Sequence, residues 1–191
     1  MKSLEQRILE DGILYEGTDI VKVDNFLNHQ VDPFLMQDMG KELKRLFENE
    51  GITKIVTIEA SGIAIAALAA LEFKVPFVFA KKHKAKNMDP DVYEAQVYSY
   101  TKATTYTVKI TKKYIQKDDV VLIIDDFLAN GEALKGLINI VEQAGAKVAG
   151  CGIAVEKAYQ KGGDKVREMG YRVESLAKIK EITEDGKIVF E

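Results

Sequence analysis

Two adjacent aspartates, Asp125 and Asp126, are the residues of this chain best placed to do chemistry. They follow four consecutive apolar residues, 121–124, a run that is typical of a buried central strand in a parallel sheet. Ligands of open α/β sheets bind beyond the carboxyl ends of such strands, so we expect both carboxylates to face a binding crevice. Carboxylates repel phosphate but accept hydrogen bonds from sugar hydroxyls. The pair therefore predicts a ribose at this point.

The turn after the aspartates predicts a phosphate site. The segment Ala129-Asn130-Gly131 has little side-chain bulk, so its backbone N–H groups can approach an anion, and a helix predicted to start near Glu132 adds its positive end. Aspartates before a helix are often caps, but one cap would leave the second aspartate and the apolar run unexplained. Together the two features predict a ribose 5-phosphate site, with the Glu132 carboxylate turned away from the anion.

Two further segments could bind an anion. Glu59-Ala60-Ser61-Gly62 lies between an apolar strand and an alanine-rich helix, where free N–H groups can meet an anion, although an ordinary strand-to-helix turn would look the same. Lys81-Lys82-His83-Lys84 follows the next predicted strand. By itself such a charge run is usually a solvated loop, so its function depends on what lies beside it.

The chain alternates strands and helices, which predicts an α/β fold with a central, mainly parallel sheet flanked by helices. The predicted strands are 53–58, 75–80, 120–124, 148–155 and 170–177, and one helix is predicted to open at Pro33. Residues 97–110 contain two runs rich in Tyr and Thr. These runs predict an exposed two-stranded excursion that can serve as a lid.

Composition limits the class of protein. With 191 residues, 47% of them hydrophobic, the chain can bury one substantial core, and we expect a single domain, 1–191. A net charge of −3 gives no electrostatic reason to expect nucleic acid or an anionic membrane as a partner. The single cysteine, Cys151, cannot form an intrachain disulfide and suits a reducing compartment. Because no long apolar segment is present, we expect a cytoplasmic protein.

The stretch 119–133 resembles the phosphoribosyl pyrophosphate signature of the type I phosphoribosyltransferases, which transfer ribose 5-phosphate to a nitrogenous base. The chain is similar to bacterial members that act on xanthine over 22–30 (KVDNFLNHQ), 52–59 (ITKIVTIE), 123–131 (IIDDFLANG) and 170–177 (GYRVESLA). The resemblance implies the type I phosphoribosyltransferase fold, a small N-terminal hood of about residues 1–35 over the base, and a homodimer. It also implies Mg²⁺ held mainly by substrate oxygens, without a protein metal cage.

The same resemblance implies a set of site residues. Catalytic roles fall to Asp125 and Asp126, the 5-phosphate to Ala129, Asn130, Gly131, Glu132 and Ala133, the pyrophosphate to Ser61, Gly62, Lys81 and Lys84, and xanthine to Val21, Asn28 and Lys157. Cations beside the departing pyrophosphate would stabilise the negative charge that grows as the glycosidic bond breaks. Relatives often have arginine where this chain has Lys81, and the adenine phosphoribosyltransferases have threonine where it has Asn130.

The implied base site favours an oxopurine. Lys157 offers only donors, which match a carbonyl at position 6 and oppose the amino group of adenine. Asn28 offers a donor for the second carbonyl of xanthine, but its amide could also accept from guanine, so both bases stay open. Ala129 stands where many oxopurine relatives carry an aspartate, so a general base is absent there; xanthine's acidity or another carboxylate would have to serve. The competing predictions are a regulator that senses phosphoribosyl pyrophosphate and a transferase for adenine or guanine.

Overall fold

A computed structural model describes residues 1–15, 18, 20–82, 89–100 and 103–191 of the chain. The helices are α1 (Lys2–Asp11), α2 (Pro33–Leu46), α3 (Gly62–Phe73), α4 (Glu132–Gln143) and α5 (Gly162–Glu168). The strands are β1 (Ile13–Leu14), β2 (Val21–Lys22), β3 (Lys54–Ile58), β4 (Phe77–Ala80), β5 (Val92–Ser99), β6 (Thr104–Thr111), β7 (Val120–Leu128), β8 (Lys147–Lys157), β9 (Val173–Ile182) and β10 (Ile188–Phe190). None of the helices in these ranges is long and apolar enough to cross a membrane.

Within the described ranges, six strands form the central sheet, in the order β10-β9-β8-β7-β3-β4. Its neighbours are parallel except for β10, which runs antiparallel to β9. The predicted mainly parallel α/β sheet is therefore confirmed. α2 begins at Pro33, as predicted, because the Asp32 carboxylate accepts hydrogen bonds from the backbone N–H groups of Phe34 and Leu35 at 3.0 and 3.2 Å.

Strand β7 divides the protein interior into two cores. Leu122 and Ile124 face one core with α1, α2 and α3, whereas Val121 and Ile123 face the other with α4 and the hairpin β5–β6. All four side chains are fully buried. A strand that is covered on both faces has no polar positions until it reaches the ligand, which explains the continuous apolar run before the aspartates.

The prediction that this strand ends at Ile124 was wrong. β7 continues to Leu128, because β8 runs alongside it and pairs from Asp125↔Ile153 to Leu128↔Glu156. On the opposite side β7 pairs with β3 only over 121–123. The β3 side of the aspartates is thus free of strand pairing, and this leaves room for a ligand.

The hairpin is longer and less exposed than predicted. It starts at Val92, and its residues Val97, Val108 and Ile110 are buried. A Cβ atom added to Gly136 of α4 would lie 2.7 Å from Val97 Cγ2, so the hairpin packs closely on that helix. One face of the excursion is therefore part of the second core, and Tyr106, two residues before Val108 on β6, lies on that same face and is partly exposed.

Candidate active site

Asp125 and Asp126 lie at the carboxyl end of the sheet and are 6% and 8% exposed. The backbone N–H of Asp126 donates to Asp125 Oδ1 at 3.0 Å. Successive residues of a strand point to opposite faces, so the two carboxylates serve different sides of the crevice. Asp126 faces the N-terminal residues, where Asn28 Nδ2 donates to its Oδ2 at 3.1 Å. Asp125 faces the hairpin, where Tyr106 is its neighbour in a shared pocket.

Burial and the neighbouring Asp126 raise the pKa of the Asp125 carboxyl well above its usual range. Burial, and to a smaller extent the Asp125 charge, raise the pKa values of two neighbouring groups, the Cys151 thiol to about 12 and the Tyr106 hydroxyl. Asp125 is therefore disposed to hold a proton under conditions in which an exposed aspartate is ionised. Shifted carboxyls of this kind are common where proteins bind or transform ligands.

Replacing Asp125 with asparagine should stabilise the free protein. An acid whose pKa rises on folding from 3.8 makes the folded state bind more protons than the unfolded chain, so stability falls as pH rises from that value through the folded pKa. Asparagine removes this loss and keeps an oxygen for the Asp126 N–H. We expect a higher Tm at neutral pH, by about 2–4 °C for each kcal/mol gained. Thermal unfolding scans across the pH range measure it.

Asp185→Asn provides the matched control, because Lys187 and Thr183 lower the pKa of this exposed carboxyl. The control variant should gain no stability at neutral pH. A Tm for Asp125→Asn at or below that of the parent protein would contradict the shifted pKa of Asp125.

The predicted phosphate loop surrounds the start of α4. Gly131 adopts φ 86°, a left-handed conformation that favours glycine, and α4 begins at the next residue. The loop residues 129–133 line a pocket of ≈ 170 Å³ with Asp125 and the hairpin. The Glu132 carboxylate pairs with Lys135 Nζ at 3.0 Å, one turn along the helix. Its charge is therefore partly neutralised beside the loop, as an anion site requires.

Sequence reasoning missed the residue that supports this loop from behind. Gly162, the first residue of α5, donates its N–H to Ala129 O at 3.1 Å. A Cβ atom added there would overlap Ala129 O and lie 2.6 Å from the carbonyl carbon of Asn130. The Gly162-Gly163 dipeptide was the available signal, but nothing local connects it with a loop some thirty residues earlier.

The structure brings the Glu59–Gly62 segment to the aspartates. A Cβ atom added to Gly62, the first residue of α3, would overlap Thr57 Oγ1 and lie 3.4 Å from Asp125 Oδ1. The helix start therefore lies against both β3 and Asp125, and Ser61 precedes it. The Glu59–Ala60 peptide bond is cis. The Glu59 carboxylate accepts a hydrogen bond from the backbone N–H of Lys82 at 2.6 Å, which joins this segment to the basic loop.

The side chains of Lys81 and Lys82, the two described residues of the basic loop, point in different directions. Lys81 pairs through its backbone with Lys109 of the hairpin, and its ammonium lies 5.9 Å from the centre of the Phe79 ring, in a pocket at the β4 edge of the sheet. Lys82 is not among the site residues that the resemblance implies. It lies near Asp125, and its ammonium is 5.4 Å from the centre of the Tyr106 ring. His83 and Lys84 lie outside the described residues.

The three residues implied in base binding come from separate segments. Val21 is buried in β2, Asn28 closes a turn of π-helix at Asp24–Asn28, and Lys157 is the last residue of β8. The hydrogen bond between Asn28 and Asp126 places the N-terminal segment beside the aspartate pair. Lys157 follows Glu156, whose buried carboxylate receives both Nη atoms of Arg167 at 2.9 Å, so the strand end that carries Lys157 is firmly held.

Comparison with known proteins finds a matching family domain and relatives that are similar along the whole chain. Residues 10–185 match the phosphoribosyl transferase domain. Xanthine phosphoribosyltransferases of Bacillus cytotoxicus and Clostridium novyi are 56% and 55% identical over 190 residues, which cover 100% of this chain and 95% and 99% of those proteins.

Solved structures agree in fold. Adenine phosphoribosyltransferase of Giardia lamblia, in complex with 9-deazaadenine, superposes with a TM-score of 0.77 at 25% identity, covering 93% of this chain and 98% of that one. The enzyme of Thermoanaerobacter pseudethanolicus superposes with a TM-score of 0.76 at 22% identity, covering 92% and 99%. An aspartate pair flanked by two glycine-bearing helix starts, in a chain matched along almost its whole length, leads to one conclusion: the protein belongs to the phosphoribosyltransferase family.

Proposed function

We propose that this protein is an enzyme of purine salvage that transfers ribose 5-phosphate from 5-phosphoribosyl 1-pyrophosphate to xanthine, giving xanthosine 5′-monophosphate and pyrophosphate. The observation that carries the proposal is the run of relatives named xanthine phosphoribosyltransferase, which are 52–56% identical across the whole chain. The carboxylate pair, the two helix starts and the lysines of the site described above support the proposal, because phosphoribosyl transfer uses such groups.

The phosphoribosyl part of the substrate lies across three elements in this proposal. The carboxylates of Asp125 and Asp126 accept hydrogen bonds from the two ribose hydroxyls. The backbone N–H groups of 129–133 and the start of α4 hold the 5-phosphate. The pyrophosphate lies at the start of α3, against Ser61 and Gly62. The close approach of Gly62 to Asp125 supports this placement, because pyrophosphate and ribose hydroxyls are neighbours in the substrate.

Cations assist departure of the pyrophosphate. Lys82 is the described lysine of the basic loop that lies near the aspartates, so we give it the role that the resemblance assigned to Lys81. Substitution at the anomeric carbon passes through an oxocarbenium-like transition state, in which negative charge grows on the leaving group. An ammonium placed there stabilises the transition state more than the ground state.

The donor chemistry at the crevice fits Mg²⁺, because carboxylate oxygens are the hard ligands that this ion prefers. In the described ranges no three His, Cys, Asp or Glu side chains come together to hold a metal. Mg²⁺ would be coordinated mainly by oxygens of phosphoribosyl pyrophosphate and by water, with the carboxylates of Asp125 and Asp126 nearby. When bound, the ion would neutralise negative charge on the pyrophosphate.

The base occupies the space between the N-terminal segment and the end of β8. Lys157 donates to the carbonyl at position 6, and Val21 packs on the ring. In the free protein, Asn28 Nδ2 donates to Asp126. When the ribose hydroxyls donate to Asp126 instead, Asn28 Nδ2 is released and donates to the carbonyl at position 2. Adenine would place an amino group against the Lys157 ammonium and leave donors unpaired.

Turnover with different bases tests the function directly. Pyrophosphate release is measured with phosphoribosyl pyrophosphate, Mg²⁺ and each of xanthine, guanine, hypoxanthine and adenine. We expect the highest kcat/KM with xanthine and a value at least roughly 100-fold lower with adenine. Lys157→Met keeps the length of the side chain but removes its donors, so it should reduce turnover of xanthine.

Two outcomes would contradict this proposal. Preferred turnover of adenine would overturn the donor-lined base site. Binding of phosphoribosyl pyrophosphate with no turnover of any of the four bases would favour a regulator that senses this ligand.

The protein forms a homodimer in this proposal. β4 is one of the two edge strands of the central sheet, and its residues Phe77, Val78 and Phe79 are partly exposed in a pocket of ≈ 440 Å³ that Lys81 also lines. A partly exposed edge strand with an apolar row is suited to association with a second copy. Light scattering after size-exclusion chromatography measures the mass, and a monomer at micromolar concentration would contradict the dimer.

A further inference from the structure

Tyr106 lies where three parts of the site meet. It is on β6 of the hairpin, half-buried, and it lines the same pocket as Asp125 and the loop 129–133. The Lys82 ammonium lies 5.4 Å from the centre of its ring, within the range of a cation–π contact. The hairpin thus reaches the basic loop through an aromatic ring beside the catalytic carboxylates.

Among the described residues, Lys82 is held by a hydrogen bond at its backbone and by none along its side chain. Its N–H is held by the Glu59 carboxylate at 2.6 Å, whereas the side chain is exposed. A lysine side chain has four rotatable bonds, and an exposed ammonium near a carboxylate is drawn toward it. Two carboxylates lie near Lys82: that of Glu59, which already accepts from its backbone N–H, and that of Asp125. A direct ion pair with Asp125 would occupy two groups that the reaction needs separately.

We propose that Tyr106 is a positioning residue, whose ring holds the Lys82 ammonium toward the leaving pyrophosphate and away from Asp125. This inference rests on the proposed function, because it gives Lys82 a pyrophosphate to bind. The face of an aromatic ring attracts a cation without neutralising its charge, so Lys82 keeps its full attraction for the leaving group. Lys81 does not occupy this place, because its ammonium lies over Phe79 at the edge of the sheet.

The residues around Tyr106 keep its ring uncharged and fixed in position. Burial and the Asp125 charge raise the pKa of its hydroxyl, so the ring stays neutral well above neutral pH. The ring is also held in place, because Tyr106 pairs with Val97, whose side chain packs against Gly136 of α4. A neutral ring on a docked strand is a fixed support for a flexible cation.

Binding of two ligand fragments tests the inference without relying on turnover. Pyrophosphate with Mg²⁺, and ribose 5-phosphate, are titrated separately into the full-length protein and into Tyr106→Leu and Tyr106→Phe. We expect Tyr106→Leu to weaken pyrophosphate binding on the order of 3- to 10-fold, with ribose 5-phosphate unchanged. Tyr106→Phe keeps the ring and should keep the pyrophosphate affinity of the parent.

A double-mutant cycle with Lys82→Met separates a specific role from damage to the hairpin. In the Lys82→Met protein, Tyr106→Leu should cause no further loss of pyrophosphate affinity. Equal weakening of both fragments by Tyr106→Leu, or additive losses in the cycle, would overturn the inference. Failure of the proposed function has a different signature, since a parent protein that turns over none of the four bases fails regardless of how the fragments bind.

Discussion

Replacing Asp126 with asparagine should reduce kcat/KM for phosphoribosyl pyrophosphate by at least about 100-fold, because hydrogen bonds to a charged group contribute roughly 1.5–3 kcal/mol each. The carboxylate is 8% exposed, so water cannot readily replace it as an acceptor for the ribose hydroxyls. Asparagine has the same shape but carries no charge and only one acceptor oxygen. The loss should fall on both kcat and KM, since positive charge also develops on the ribose ring as pyrophosphate departs.

The substitution is conservative for folding. The new amide can turn its oxygen toward Asn28 Nδ2, which now donates to Asp126 at 3.1 Å, so the link to the N-terminal segment survives. Asp38→Asn, on the exposed surface of α2, provides a matched control and should retain the parent rate. Initial rates of pyrophosphate release measure the effect. A rate within threefold of the parent in a folded Asp126→Asn protein would remove this carboxylate from the ribose site.

The sequence predicted the parts of the site that depend on short-range patterns. The buried run 121–124 has no polar position, so it had to be a central strand, and the aspartates after it had to lie at the carboxyl end of the sheet. Gly131 marked the left-handed turn before α4 for a similar reason, since other residues are strained there. Both conclusions follow from the backbone and from the hydrophobic pattern of one segment.

Properties that depend on a neighbouring strand could not be read from one segment. β7 runs past the aspartates because β8 continues to Lys157, and the length of a strand is set by its partner. The choice between Lys81 and Lys82 depends on which way each side chain points from a single irregular pairing with Lys109. Adjacent residues on an extended chain face opposite sides, so a shift of one position exchanges their roles.

The same limit applies to Gly162, which supports the loop 129–133 from a distant segment. The second large effect is expected for Gly162→Ala. A methyl group at this position would overlap Ala129 O and lie 2.7 Å from the backbone nitrogen of Gly131. Backbone atoms cannot move aside without moving the loop. We expect KM for phosphoribosyl pyrophosphate to rise by about 10- to 100-fold, because a displacement near 1 Å in a binding site can cost 10²-fold.

Gly163→Ala is the matched control for that variant, because it adds the same methyl group one residue later. The added Cβ there would meet the side chains of Glu156 and Arg167 and not the loop, so it should lower Tm without a selective effect on phosphate. The distinguishing measurement is the dissociation constant of ribose 5-phosphate alongside that of pyrophosphate. Gly162→Ala should weaken the first much more than the second, since only the 5-phosphate contacts the loop in our proposal. If pyrophosphate weakens as much, or if neither ligand is affected, the 5-phosphate does not bind against the backbone that Gly162 supports.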